Sequence, residues 1–215
     1  MSGSEVLREI LESGIVAVVR SPHSEQLVGV ARSLVEGGVR AIEITMTVPD
    51  ALEVIREVSR ELGGQIRLGA GTVLDPETAR AAILAGAEYV VAPTLNLDVI
   101  RVCRRYDKPV MPGAFTSTEV LAAWEAGADV VKVFPADVGG PNYLKALLAP
   151  LPHVRLMPTG GVDLDNAAAF LKAGACCLGV GSSLVDNHAV ARGDFARIRD
   201  HAQKFVRVVK DSRDR

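Results

Sequence analysis

Ile15-Val16-Ala17-Val18-Val19 is an unbroken apolar run, closed by Arg20. A strand with one wet face alternates apolar and polar residues, but this one offers water neither face. Both faces need cover, which fits parallel pairing beneath helices. Similar β-rich runs recur about every 20 to 26 residues, the spacing of a βα unit. They begin near Ile15, Arg40, Ile66, Glu88, Pro109, Asp129, Val154 and Cys176. Helical patterns fill the gaps, among them Ser24 to Glu36, Asp50 to Leu62, Pro76 to Leu84 and Thr118 to Glu125. The joints repeat as well. Ala85-Gly86-Ala87, Ala126-Gly127-Ala128 and Ala173-Gly174-Ala175 each put a glycine where a helix has to stop. Eight units without a linker predict one α/β domain over residues 1–215, a single (β/α)8 TIM barrel. An open doubly wound sheet is the alternative. Ser4 followed by Val6, Leu7, Ile10 and Leu11 adds a capped amphipathic N-terminal helix.

Composition narrows the function. The 215 residues carry a net charge of −2 and are 48% hydrophobic, enough for a sizeable core. No basic run interleaved with aromatics suggests nucleic acid, and no apolar stretch is long enough for a membrane span or a signal peptide. Cys103, Cys176 and Cys177 form neither a disulfide framework nor a zinc spacing, so a reducing cytoplasm is the expected setting. His23, His153, His188 and His201 lack metal-ligand spacing, and no metal is expected.

In a barrel, chemistry gathers at the C-terminal ends of the strands. Lys132 stands out there, inside Asp129-Val130-Val131-Lys132-Val133-Phe134-Pro135. Burial lowers the pKa of an ammonium, and a partly desolvated amine attacks ketones. Glu43, in Ala41-Ile42-Glu43-Ile44-Thr45, shares a face with Ala41 and Thr45 by the two-residue period of a strand. Facing inward, it would be a carboxylate with a raised pKa, able to move protons. The plain structural reading is an ion pair between the two.

Arg20 ends the first strand and can grip a carboxylate through two parallel hydrogen bonds. Thr72 follows Gly69-Ala70-Gly71, where small residues let a ligand approach its hydroxyl. Pro158-Thr159-Gly160-Gly161 and Gly179-Val180-Gly181-Ser182 follow the last two strands, the usual place for phosphate in a barrel. Thr116-Ser117-Thr118-Glu119 and Asp75-Pro76-Glu77 read as helix starts, Trp124 as packing, and the basic segment Arg207 to Arg215 as a frayed helix end.

Four ordered segments resemble the bacterial 2-keto-3-deoxy-6-phosphogluconate (KDPG) and 4-hydroxy-2-oxoglutarate (KHG) aldolases. They are Gly37 to Thr45, Gly69 to Val73, Lys132 to Ala136 and Pro158 to Val162, within a likeness spanning about residues 14 to 185. The resemblance implies Lys132 as the Schiff-base lysine and Glu43 as acid/base through a bound water. It implies that Thr72 holds the pyruvate-derived carboxylate, with Pro93 and Phe134 walling the pocket. Gly160, Gly161 and Ser182 would take the substrate phosphate and Thr159 the sugar hydroxyls. A 2-keto acid or phosphorylated sugar acid substrate, a homotrimer and no cofactor are implied too. Some relatives carry an arginine where this chain has Thr47, and Arg20 is the residue expected to supply that charge. Two other readings use the same residues. A phosphosugar isomerase or epimerase would employ Glu43 without a covalent step, and a binding protein would use neither group as a reagent.

Overall fold

The computed structural model describes residues 1–213 of the chain. It is an α/β fold, a curled sheet of parallel strands wrapped by helices. The strands are β1 (Ile15–Val19), β2 (Ala41–Thr45), β3 (Arg67–Gly71), β4 (Tyr89–Val91), β5 (Val110–Met111), β6 (Gly113–Ala114), β7 (Val131–Val133), β8 (Leu156–Pro158) and β9 (Leu178–Val180). Six run in the order β5-β4-β3-β2-β1-β9, and three in the order β6-β7-β8. An isolated bridge between Thr159 and Gly179 joins the far end of the second group to β9. A doubly wound sheet reverses its strand order midway; here sequence neighbours pair within each group, and β1 lies beside β9. The segments β5 and β6 flank Pro112, which has no N–H to give a ladder.

Helices follow most strands: α2 (Leu27–Glu36), α3 (Ala51–Leu62), α4 (Pro76–Ala85), α5 (Leu97–Arg105), α6 (Ser117–Glu125), α7 (Gly140–Leu148), α8 (Ala167–Lys172), α9 (Asn187–Ala191) and the long α10 (Phe195–Arg213). Gly86, Gly127 and Gly174 take φ of 119°, 99° and 105°, the left-handed stop expected of the repeated joints. Two cores result. Ile42, Ile44, Val131 and Val133 point outward under the helices. Val16, Ala41, Tyr89, Met111, Val130 and Met157 point inward.

A first helix, α1 (Gly3–Ser13), brings Val6 and Ile10 into the inner cluster and so covers one end of it. Its cap is Ser2, not the expected Ser4: the Ser2 hydroxyl accepts from Glu5 N–H, while Glu5 reaches back to Ser2 N–H at 2.8 Å. Ser4 already lies within the first turn. Buried Arg67 ties this helix to the sheet through Glu9 (2.8 Å) and Glu88 (2.9 Å).

The basic C-terminal segment also departs from expectation. It stays helical to Arg213, whose guanidinium donates to the carbonyls of Glu12 (2.6 Å) and Leu11 (2.7 Å) at the end of α1. A cation placed on terminal carbonyls satisfies them and suits the helix dipole, so the segment is clamped rather than frayed. Asp214 and Arg215 lie outside the described residues.

Helix α4 starts as its sequence predicts, with Asp75 accepting from Thr78 N–H at 2.6 Å and Pro76 in the first turn. Asp75→Ala should cost about 1 kcal/mol, a Tm drop of roughly 2–4 °C by calorimetry. An unchanged Tm would mean the cap is redundant.

Candidate active site

Each strand's inward positions lead toward its C-terminal end, and there the βα loops enclose a cavity of ≈ 420 Å³. Nine residues singled out from the sequence line it: Arg20, Thr72, Pro93, Lys132, Phe134, Thr159, Gly160, Gly161 and Ser182. Glu43 does not reach the wall. Its carboxylate lies deeper, leaning over β3, where a Cβ on Gly71 would sit 2.5 Å from Oε1. Gly71 precedes Thr72, so a glycine there lets the carboxylate lie just under the pocket floor.

Lys132 is 5% exposed, and its Nζ stands 5.3 Å from the centroid of the Phe134 ring. Burial pulls the amine below the ordinary lysine pKa. Glu43's charge opposes that shift and Arg20's charge adds to it. Glu43, 1% exposed, is pushed above the ordinary carboxylate value by burial, against the pull of Lys132 and Arg20. Among the described residues neither carboxylate oxygen has a hydrogen-bond partner. The simple ion pair is therefore not what the sequence built: the two charges sense each other without touching. Amine and carboxylate are each biased toward the neutral form, which suits one to attack a carbonyl and the other to carry a proton.

The wall around them is specific. Thr72 holds φ at 60°, a left-handed conformation unusual for a residue with a side chain and costing about 1–3 kcal/mol. Gly160 and Gly161, at φ 92° and 68°, turn the chain as glycine readily can. Among the described residues, the N–H groups of Gly160, Gly161, Ser182 and Ser183 donate to no protein acceptor. Donors left free around a pocket suit an anion. Asn166 Nδ2 braces one loop through Gly161 O (2.7 Å), and Ser183 Oγ braces the other through Val162 O. Gly179 has a different part from the one its loop suggested. It sits below the pocket, where a Cβ would strike the Thr159 side chain.

Arg20 lies exposed at the rim with no ion-pair partner among the described residues. Thr47 stays outside the pocket and hydrogen-bonds Thr45 Oγ1 at 2.9 Å. Arg20→Gln should raise KM for an anionic keto acid about tenfold. Because Arg20 depresses the Lys132 pKa, the variant's pH profile for amine attack should move to higher pH. A profile unmoved would place Arg20's charge too far away to matter.

Sequence reasoning missed the apolar wall of Val18, Val162 and Val185, and it missed Asn187. Val18 was findable, since it shares an inward face with Val16 and precedes Arg20 by two. Asn187 opens α9, a helix of five residues, too short to give a periodic signal. Among the described residues, no cluster of His, Cys, Asp and Glu could hold a metal ion, and no helix is long and apolar enough to cross a membrane.

A desolvated lysine above a buried carboxylate, at the loop-bearing end of parallel strands, defines a class I aldolase, a lyase working through a Schiff base. Comparison with known proteins gives the particular kind. The family model described as KDPG and KHG aldolase matches residues 6–201. The 2-dehydro-3-deoxy-phosphogluconate aldolase of Treponema pallidum is 37% identical over 196 residues, covering 91% of this chain and 93% of that protein. A solved native KDPGal structure superposes with a TM-score of 0.85 at 32% identity, covering 94% of this chain and 96% of that one. A KDPG aldolase from Legionella pneumophila, with pyruvate captured at low pH as a covalent carbinolamine, does so at 0.85 and 25% identity, covering 92% and 96%. The chain belongs to the KDPG and KHG aldolase family.

Proposed function

We propose that this enzyme cleaves KDPG to pyruvate and glyceraldehyde 3-phosphate, with KHG cleavage to pyruvate and glyoxylate as a second activity. The observation that carries the reading is a buried amine of lowered pKa opening into a pocket that also presents four unpaired N–H groups. An amine alone would serve any keto acid. The free donors ask for an anion at the other end of the substrate, which favours the phosphorylated sugar acid.

Neutral Lys132 Nζ attacks the C2 ketone, and loss of water leaves an iminium. The C3–C4 bond then breaks: its electron pair moves toward the iminium as a water held by Glu43 takes the proton of the C4 hydroxyl. The aldehyde departs. The same route returns a proton to C3 of the enamine, and hydrolysis frees pyruvate and the amine. Thr72 and Arg20 hold the carboxylate end, with Pro93 and Phe134 as walls. Thr159 meets the sugar hydroxyls, while Gly160, Gly161 and Ser182 take the phosphate.

Residues 1–215 act as a single domain in this reading, closed as a complete (β/α)8 barrel with an added N-terminal helix. The Thr159–Gly179 bridge and the pairing of β1 with β9 support closure. A homotrimer fits the exposed apolar side chains Leu74, Leu97 and Val138, all in segments near the strands' C-terminal ends. The three free cysteines, two buried and one partly buried, fit a reducing cytoplasm.

Substrate choice is tested by measuring retro-aldol kcat/KM for KDPG, its galactonate epimer and KHG. The phosphorylated gluconate derivative should lead, and removing its phosphate should raise KM by at least tenfold. Equal values for KHG and KDPG would show that the donor loops contribute nothing.

A further inference from the structure

Among the described residues four buried side-chain oxygens have no protein partner, Thr159 Oγ1 beneath the pocket and three deeper ones: both carboxylate oxygens of Glu43 and the phenolic oxygen of Tyr89. Buried polar atoms left unpaired are costly, and folded proteins ordinarily satisfy them with ordered water. The register sets the three deeper ones side by side. Glu43 on β2 pairs with Gly69 on β3, and Gly69 pairs with Tyr89 on β4. Glycine in the middle of that row leaves room for both neighbours. A Cβ on Gly69 would strike Cζ and Cε2 of the tyrosine, so the hydroxyl-bearing end of the ring lies across β3, aimed toward β2. Gly71, the next residue on the same face, holds the carboxylate. Val6 and Ile10 of α1 close the floor beneath the ring. Phenol and carboxylate thus occupy adjacent niches in one sealed interior, too far apart for a direct hydrogen bond.

We propose that Tyr89 is a positioning residue for the proton-transfer step, its hydroxyl donating to an internal water that Glu43 also holds. The proposal rests on the reading of Glu43 as the acid/base. Tyr89 serves as donor only, because burial, with Glu43's charge next, holds its proton far above the ordinary phenol range. Donation through water favours the charged form of the carboxylate and keeps it a ready acceptor. The other groups acting on the pair are Lys132 on β7, Arg20 after β1, Cys177 before β9 and Glu88 before β4.

The test is exchange of the C3 protons of pyruvate for deuterium, followed by NMR across pD, beside borohydride trapping of the pyruvate adduct. This isolates the proton step from cleavage. Tyr89→Phe removes one unpaired oxygen and keeps the ring, so trapping should match the wild type. Exchange should fall about tenfold, the worth of one buried hydrogen bond. Its acid limb should shift to higher pD, as the carboxylate loses a donor. In a Glu43→Gln background the same change should have no further effect. Exchange and acid limb identical to wild type would overturn the proposal, as would an equal loss in the Glu43→Gln background, which marks a merely structural role. A wild type that neither traps nor exchanges pyruvate overturns the aldolase reading itself, and this inference with it.

Discussion

Lys132→Met should lower retro-aldol kcat by on the order of 10⁴-fold or more, with no pyruvate adduct formed, because the bond-forming atom is gone. Folding should survive. The amine sits in an apolar strand, with Val131 and Val133 fully packed on the opposite face, and it makes no ion pair with Glu43. Replacing a desolvated ammonium with methionine of similar length removes a burial cost rather than a contact. The sign of the pH effect follows. Burial lowers the Lys132 pKa in the folded protein, so between that value and the unfolded one of about 10.4 the unfolded chain binds more protons. Wild-type stability therefore gains a contribution as pH rises through that window, and Lys132→Met should lose that gain. Circular dichroism melts at several pH values, set beside activity, check both halves. A methionine variant retaining a tenth of the activity would contradict a covalent route.

Glu43→Gln should cost about 10²–10⁴-fold in kcat, the usual worth of a positioned acid/base, with KM little changed. Its second effect distinguishes it from general damage. Glu43's charge holds the Lys132 pKa up against desolvation. Removing that charge drops the lysine pKa further, so neutral amine is present at lower pH. Adduct formation in the variant should reach its alkaline plateau earlier than in the wild type, even though turnover is slower. Stopped trapping reactions across pH measure this directly. A plateau at unchanged pH would mean the two groups are not electrostatically linked, and a kcat within threefold of wild type would assign the proton to another group.

Much of this arrangement is legible in the sequence because charge is rare in a greasy strand. Lys132 between valines and Glu43 between isoleucines violate the pattern that builds the two-sided core, and the structure buries both. Period two placed Glu43 on the face of Ala41, which is the face turned inward. The repeated Ala-Gly-Ala joints marked helix ends because only the local backbone decides them. Other features are set by the distant chain. Whether Glu43 would touch Lys132 depends on the distance across the interior, which no strand reveals alone. Tyr89 carries no signal within its own strand, because its meaning comes from Gly69 on the adjacent strand. Ser2, not Ser4, caps α1, since a run of serines offers two starts and the Glu5 reply selects one. The end of α10 depends on carbonyls some 200 positions earlier in the chain, as the Arg213 contacts have it.

The central claim is that one interior amine bonds covalently to a ketone. Incubating the enzyme with pyruvate and borohydride, then weighing the protein and mapping its peptides, addresses that without any assumption about the preferred substrate. The account predicts a single added mass, that of a reduced pyruvyl group, on the peptide containing Lys132, and none in Lys132→Met. An unmodified wild-type protein, or the adduct on another lysine, would contradict it.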